Sequence, residues 1–188
     1  MANVEHSTLT DPYIHEPKGA STATVGKVYI ADGAGSGVWT DPSKYLGAYI
    51  PFDASTPAYQ HSATTSDTVI DPSFTVSVNS GFTAASSPNA RIVYSDTLAV
   101  TCKIILTLST KQASGTSRDV EWAIYKNGSV LPGSRTIRTI SSGTWGSISV
   151  TGFTNLVTDD YLEVFSKASA ACTVDYASGF LSISGVPT

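Results

Sequence analysis

Charge is what this chain has least of. Acids and bases together make up 14% of its 188 residues, where about a quarter is usual for a soluble domain. Eleven Lys and Arg stand against fifteen Asp and Glu, for a net charge of −4. The basic residues form no cluster, which argues against nucleic acid as a partner. Cysteine occurs twice, at Cys102 and Cys172, and methionine once. Two cysteines so far apart make no metal-type pair, and each sits in an apolar, strand-like pattern that reads as a small buried hydrophobe. Spacing alone leaves a disulfide between them open. No apolar run reaches membrane-spanning length, and the opening "MANVEHSTLT" has neither the basic start nor the apolar stretch of a secretory leader. The expected site of synthesis and folding is therefore a reducing cytoplasm. A sustained helical stripe is absent as well.

Catalytic and cofactor motifs are equally scarce. The histidines are His6, His15 and His61. With Glu5, Asp11 and Glu16, the first two could be assembled into a carboxylate–imidazole set, but the spacing matches no ligand motif. The glycine run "GAGSG" (33–37) follows a short strand-like stretch, yet "VWTDPSKYL" after it has no helical periodicity, and no Gly-Lys-Ser/Thr closes a phosphate loop. A tight turn presenting Trp39 is the simpler reading. No serine has glycine two residues before and two after it, so the nucleophile elbow of a serine hydrolase is missing. Carboxylate pairs for glycoside cleavage could be drawn from Asp119, Glu121, Asp159, Asp160, Glu163 and Asp175, but their positions suit solvated strand surfaces. Asn127-Gly-Ser matches a glycosylation acceptor, though a hairpin turn explains Asn-Gly without it. Sequence alone therefore predicts no enzyme, no metal and no cofactor.

What the chain has in quantity is serine and threonine, roughly a quarter of its residues, together with period-two alternation. Leu98, Val100, Cys102, Ile104, Leu106 and Leu108 share one face of an eleven-residue stretch whose other face is polar except at Ile105. Val120, Trp122 and Ile124 repeat the pattern before Asn127-Gly128, a pair suited to a type I′ turn. Further short strands are expected at 74–78, 91–94, 135–140, 145–152, 160–168, 172–176 and 179–185. This is an all-β chain, a β-sandwich or jelly roll.

The chain changes character at "STPAYQHSATTSDT" (55–68), which is polar and without apolar period. Upstream, Val25–Ala31 and Tyr45–Phe52 are short apolar runs between Gly and Pro, too little for a separate core. The expected organisation is an extended N-terminal arm with short strands over residues 1–54, a linker over 55–67 and a β-head over 68–188.

Two resemblances follow. Leu156, Asp160, Tyr161, Leu162, Val164 and Ser178-Gly-Phe-Leu181, within "NLVTDDYLEVFSKASAACTVDYASGFLSIS", resemble the closing strands of C1q/TNF-like jelly rolls. The segment His15–Trp39, "HEPKGAS…GKVYIADGAGSGVW", is similar to one near the N-terminus of tailed-bacteriophage structural proteins, above all head-decoration and head-fibre proteins. The resemblance implies a homotrimeric head attached to the capsid surface by its arm, with the major capsid protein or another virion protein as partner. Under that expectation His15, Glu16, Pro17, Lys18, Tyr29, Trp39, Tyr45 and Tyr49 carry attachment. Ile105, Tyr161, Phe165, Tyr176 and Phe180, apolar residues on strands with two apolar faces, are expected between subunits. The alternative is a tail-associated receptor-binding protein. Its head would take a host surface glycan or protein, with Trp145, Tyr125 and Tyr94 available for stacking on sugar.

Overall fold

The structure, a computed structural model, describes residues 23–31, 37–51, 56–85 and 90–188. The chain divides into two compact units, Met1–Pro42 and Ser43–Thr188.

In the first unit, β1 (Val28–Ala31) and β2 (Gly37–Thr40) pair antiparallel, Val28 opposite Thr40 and Ala31 opposite Gly37. Tyr29 and Trp39 are directly opposite, their ring centroids 5.4 Å apart, an aromatic cross-strand pair of the kind that holds a short hairpin. Just beyond the pairing, Lys27 Nζ meets Asp41 Oδ1 at 2.7 Å. Gly37 is the last residue of the glycine run, and a Cβ there would lie 2.2 Å from the Ile30 carbonyl oxygen. Residues 32–36 of that run lie outside the described residues.

Among the described residues the second unit holds thirteen strands. In chain order these are β3 (Lys44–Ile50), β4 (Tyr59–Ala63), β5 (Thr68–Ile70), β6 (Thr75–Ser80), β7 (Phe82–Ala85), β8 (Arg91–Tyr94), β9 (Val100–Gln112), β10 (Arg118–Lys126), β11 (Ser129–Val130), β12 (Thr136–Ile140), β13 (Gly146–Leu156), β14 (Tyr161–Ala168) and β15 (Cys172–Pro187). No helix occurs among the described residues.

Two antiparallel sheets result. One runs β13-β9-β15-β3-β6, with β4 also on β15. The other runs β11-β10-β14-β8-β7, with β12 on β10 and β5 on β14. Take the eight principal strands as β3, β8, β9, β10, β12, β13, β14 and β15. The first sheet then holds the first, eighth, third and sixth, and the second holds the second, seventh, fourth and fifth. That wrapping is a jelly roll.

The core lies between the sheets. Leu46, Ile104, Leu106, Leu181 and Ile183 come from one side and Val120, Trp122, Ile124, Leu162 and Val164 from the other. The alternation read along β9 is what is buried: Val100, Cys102, Ile104, Leu106 and Leu108 all face inward. Both cysteines are free thiols, and burial pushes that of Cys102 up to about 11. The β10–β11 turn has Asn127 and Gly128 at φ 50° and 76°, as a type I′ turn requires. The Asn127 amide donates to Asp160 Oδ1 at 2.6 Å and accepts the Tyr161 N–H at 2.9 Å, which ties the turn to β14.

Two boundaries differ from the sequence reading. Residues 44–50, placed in the arm, form β3 and pair with β15 and β6 inside the sheet. The polar stretch placed in the linker contributes β4, which pairs Tyr59–Ala63 with Tyr176–Cys172. The two strands expected at 172–176 and 179–185 are one strand with a bulge between Tyr176 and Ser178.

Burial on β3 includes a charge. Lys44, its side chain 2% exposed, holds Asp96 Oδ2 at 2.7 Å. Burial alone would raise the Asp96 carboxyl, but the Lys44 hydrogen bond and the backbone N–H groups of Leu98 and Thr97 hold it below 3.8. Removing one member of a buried pair costs about 3–5 kcal/mol when burial is complete. Asp96 keeps 24% of its side-chain exposure, so Asp96→Asn is expected to cost about 2 kcal/mol. It should appear as a lower urea midpoint at unchanged slope. Because the folded-state value lies below the unfolded one, this stability is present above about pH 4 and is lost as the pH falls through the folded-state value. The Asp96→Asn protein should lose that part of the acid sensitivity.

Candidate functional site

The outward face of the six-stranded sheet brings together residues that sequence reasoning had assigned to different roles. Strand alternation points Leu46, Ala48 and Ile50 of β3 into the core, which leaves Tyr45, Gly47 and Tyr49 outward. The pairing registers then lay out rows across the sheet. Thr75, Tyr49, Phe180, Thr107 and Ser149 form one row. Val78, Gly47, Ser182, Ile105 and Thr151 form the next. Ser80, Tyr45, Ser184, Lys103 and Phe153 form a third, and Val186, Thr101 and Asn155 a fourth. In these rows the charged side chain is Lys103; the others are aromatic, aliphatic, hydroxyl, amide or glycine.

The apolar members are open to solvent: Phe180 is 48% exposed, Phe153 65% and Val78 52%. A Cβ on Gly47 would meet Val78 Cγ2 at 2.6 Å and Phe180 Cζ at 3.9 Å. The neighbouring side chains therefore already close over this glycine, and the middle row is flat where a side chain would stand. Exposed aromatic and aliphatic side chains set among hydroxyls, with one charge in four rows, give this face the charge-poor composition found at the centre of interfaces.

The two edges of this sheet differ. Along β13, the Arg138 guanidinium donates to the Ser147 carbonyl, Thr136 Oγ1 to that of Ser149 at 3.3 Å, and Lys126 Nζ to that of Asn155 at 2.7 Å. Side chains from the other sheet thus occupy that edge. On the opposite edge β6, Thr-Val-Ser-Val-Asn-Ser, carries no charge and among the described residues pairs with β3 alone.

Several expected positions move. Tyr45 and Tyr49, assigned to the attachment arm, stand on this face beside Ile105 and Phe180. Tyr176 is not at a subunit interface. It is 0% exposed in the core, where its hydroxyl accepts the Trp122 indole N–H at 3.1 Å. The bulge explains the difference, because inserting one residue between Tyr176 and Ser178 changes which parity faces inward. Val174 and Tyr176 are buried before it, Leu181 and Ile183 after it, and Phe180 is turned out.

Tyr161 and Phe165 lie on the other sheet, each half-buried against a neighbouring side chain. The Arg91 guanidinium sits 4.8 Å over the Tyr161 ring, and Phe165 stacks on Tyr125 at 4.0 Å. Tyr29 and Trp39 face each other in the first unit, and His15, Glu16, Pro17 and Lys18 lie outside the described residues. Phe153, Val78 and Val186 were missed. Phe153 could have been found, since it breaks the polar face of "GSISVTGF".

The remaining candidates are tied up in ordinary contacts. His61 Nε2 is 3.1 Å from Thr68 Oγ1, and burial pushes its pKa down. Tyr94 is buried, with its hydroxyl on the Leu98 carbonyl at 2.6 Å. The Tyr125 hydroxyl donates to Asp67 Oδ2 at 2.7 Å, and burial with that carboxylate raises it to about 12. Trp145 is half-buried, with Lys111 Nζ 4.7 Å from its ring centroid. The acids go to separate partners: Asp160 to Lys126, Glu121 to Arg135, Asp119 to Thr139, and Asp175 to Gln60. Among the described residues no three His, Cys, Asp or Glu side chains form a metal-binding group.

No protein-family model and no curated protein matches this chain. Solved structures similar to it include Eiger TNF from S. frugiperda, with a TM-score of 0.48 and 10% identity over 77% of this chain and 93% of that one. Murine APRIL at pH 5.0 gives 0.44 and 13% over 77% and 98%. PRD1 vertex protein P5 gives 0.42 and 19% over 77% and 96%. At these scores no statement about the function of this chain rests on them.

Proposed function

We propose that this is a virion structural protein, a capsid decoration or head-fibre protein that self-associates through its jelly roll and attaches to the shell through its N-terminal unit. The observation that carries the self-association is the charge-poor face holding Tyr45, Tyr49, Val78, Ile105, Phe153 and Phe180, with Lys103 the charged member of its rows. Exposed aromatics in rows that hold one charge are best accounted for by a further copy of the same head. The similarity of His15–Trp39 to phage head proteins supports the virion setting, and the similarity of residues 156–181 to C1q/TNF-like domains supports three copies.

The mechanism is mechanical. Three arms on one head bind with an avidity that one arm lacks, because the second and third attachments are intramolecular. Contacts that bridge neighbouring shell subunits must then be lost before the shell opens, which stabilises it by mass action. The attachment residues proposed are Tyr29 and Trp39 of the hairpin, with His15, Glu16, Pro17 and Lys18 before it. Tyr45 and Tyr49 pass to the self-association face.

The test compares the full chain with residues 43–188, which contain every strand of both sheets. Both are mixed with purified bare capsids of the encoding phage and sedimented. Full-length protein is expected to co-sediment at tens to hundreds of copies per particle, and the 43–188 form to stay in the supernatant. If neither binds capsids and the 43–188 form binds host cells, the protein belongs to the tail as a receptor-binding head.

A further inference from the structure

The seven-stranded sheet has a break in it. β10 runs along one side of β14, and two strands share the other side. There Tyr161 and Leu162 pair with Val93 and Ile92 of β8, while Val164–Ser166 pair with Ile70–Thr68 of β5. A cavity of about 400 Å³ lies where the ladder passes from β8 to β5, lined by Leu162, Glu163 and Val164. It reaches the core at Ile104, Ile124 and Leu181, which come from both sheets. Core voids larger than a water molecule are few in a packed domain, and this one has the volume of a small-ligand site. Solvent reaches the same side of the sheet. Ala84 of β7 also lines the cavity and pairs with Ile92, while Phe82 of β7 pairs with Tyr94. Phe82, Ile92 and Tyr94 are all buried in the core, so alternation puts Ala84 on their side. Ala84 is nevertheless exposed.

We propose that this cavity binds a neutral aliphatic ligand, with its alkyl chain between the sheets. The wall selects the chain: Ile92, Ile104, Ile124, Leu162, Val164 and Leu181 are branched aliphatic side chains contributed by four strands and more. An apolar cavity takes apolar guests because it offers water no partners. The charged groups of the wall select against an ionic head, because the chain itself already engages them. Asp71 Oδ1 accepts the Ala90 N–H, and the Arg91 guanidinium lies 4.8 Å from the centroid of the Tyr161 ring. Arg91 and Glu163 hold further groups of the chain besides. An entering ion must compete with these contacts or go in unpaired, which is costly away from water. An entering alkyl chain disturbs none of them. The self-association face is the outward side of the other sheet, so this site does not rest on the proposed function.

The experiment titrates the full-length protein with n-butanol, n-hexanol and n-octanol at pH 7, followed by calorimetry and by the methyl chemical shifts of Ile104, Ile124 and Leu181. Saturable binding that moves these methyls is expected, tightening about fourfold for each added methylene. n-Octylamine and octanoate are ions at this pH and should bind about tenfold or more weakly than octanol. Ala84→Leu adds apolar volume on the inward side of β7 from an exposed position and should weaken octanol about tenfold at an unchanged melting temperature. The methyl shifts locate the ligand in the unaltered protein, whatever that variant does to folding. No saturable binding of octanol overturns the site, as does binding unaffected by Ala84→Leu. Shifts confined to Phe153 and Phe180 on the outward face of the other sheet overturn it as well. Octylamine or octanoate binding as tightly as octanol overturns the neutral assignment.

Discussion

Phe180→Asp is expected to convert the protein from an oligomer to a monomer at micromolar concentration while leaving the fold intact. The side chain is 48% exposed and lies between Tyr49 and Thr107, so a carboxylate there costs the isolated head little. At an interface it removes an aromatic anchor worth about 2 kcal/mol or more, close to thirtyfold in affinity for each contact. It also places like charges together wherever copies meet. Sedimentation velocity at several concentrations reads the result directly. Phe153→Asp should act in the same direction. Ile137→Asp is the control: Ile137 is 64% exposed but lies on β12 of the other sheet, opposite Glu121, and its variant should sediment like the parent. A parent protein that is monomeric at tens of micromolar, or an Ile137 variant that dissociates as far as the Phe180 variant, would remove the face from the proposal.

The largest loss of stability is expected at Trp122. The side chain is fully buried between the sheets and its indole N–H is held by the Tyr176 hydroxyl at 3.1 Å. Truncation to alanine should cost about 3–5 kcal/mol, much of the stability of a domain this size. Tyr176→Phe keeps the ring and removes the acceptor, leaving a buried donor without this partner at a cost of about 1–3 kcal/mol. Trp122→Phe with Tyr176→Phe should cost less than the two single changes summed, because either one already breaks the bond. Equilibrium urea unfolding of the four proteins closes the cycle. Additive costs would mean that the hydrogen bond contributes nothing.

These two positions mark what was legible in the sequence and what was not. The β9 and β10 alternation was legible because the inward residues are aliphatic or aromatic and the outward ones mostly Thr, Ser and Lys. On β3 the polarity is reversed. Lys44 and Ala48 point inward with Leu46 and Ile50, while two tyrosines point out. An inward lysine and outward aromatics conceal a strand from any reading based on apolar period, so the segment resembled an arm. The same reversal leaves two aromatic side chains on the solvent side of the sheet.

Tyr59–Ala63 resembled a linker because the β4 residues are small or polar, apart from Tyr59, and the strand's place comes from pairing with β15 rather than from a core stripe of its own. Tyr176 was misplaced because one inserted residue inverts parity, and a bulge leaves no mark in composition. Ile105 was legible as the apolar exception on an otherwise polar face, and the structure sets it and Phe180 on one face.

The unequal edges of the six-stranded sheet limit how copies can join. Growth of a cross-strand filament needs two free margins on each unit, one to receive and one to offer. Here the β13 margin is spoken for by Lys126, Thr136 and Arg138, so a chain docking at β6 presents no second margin of this sheet to the next arrival. Contact through β6 can then join two copies edge to edge without extending along the β13 margin.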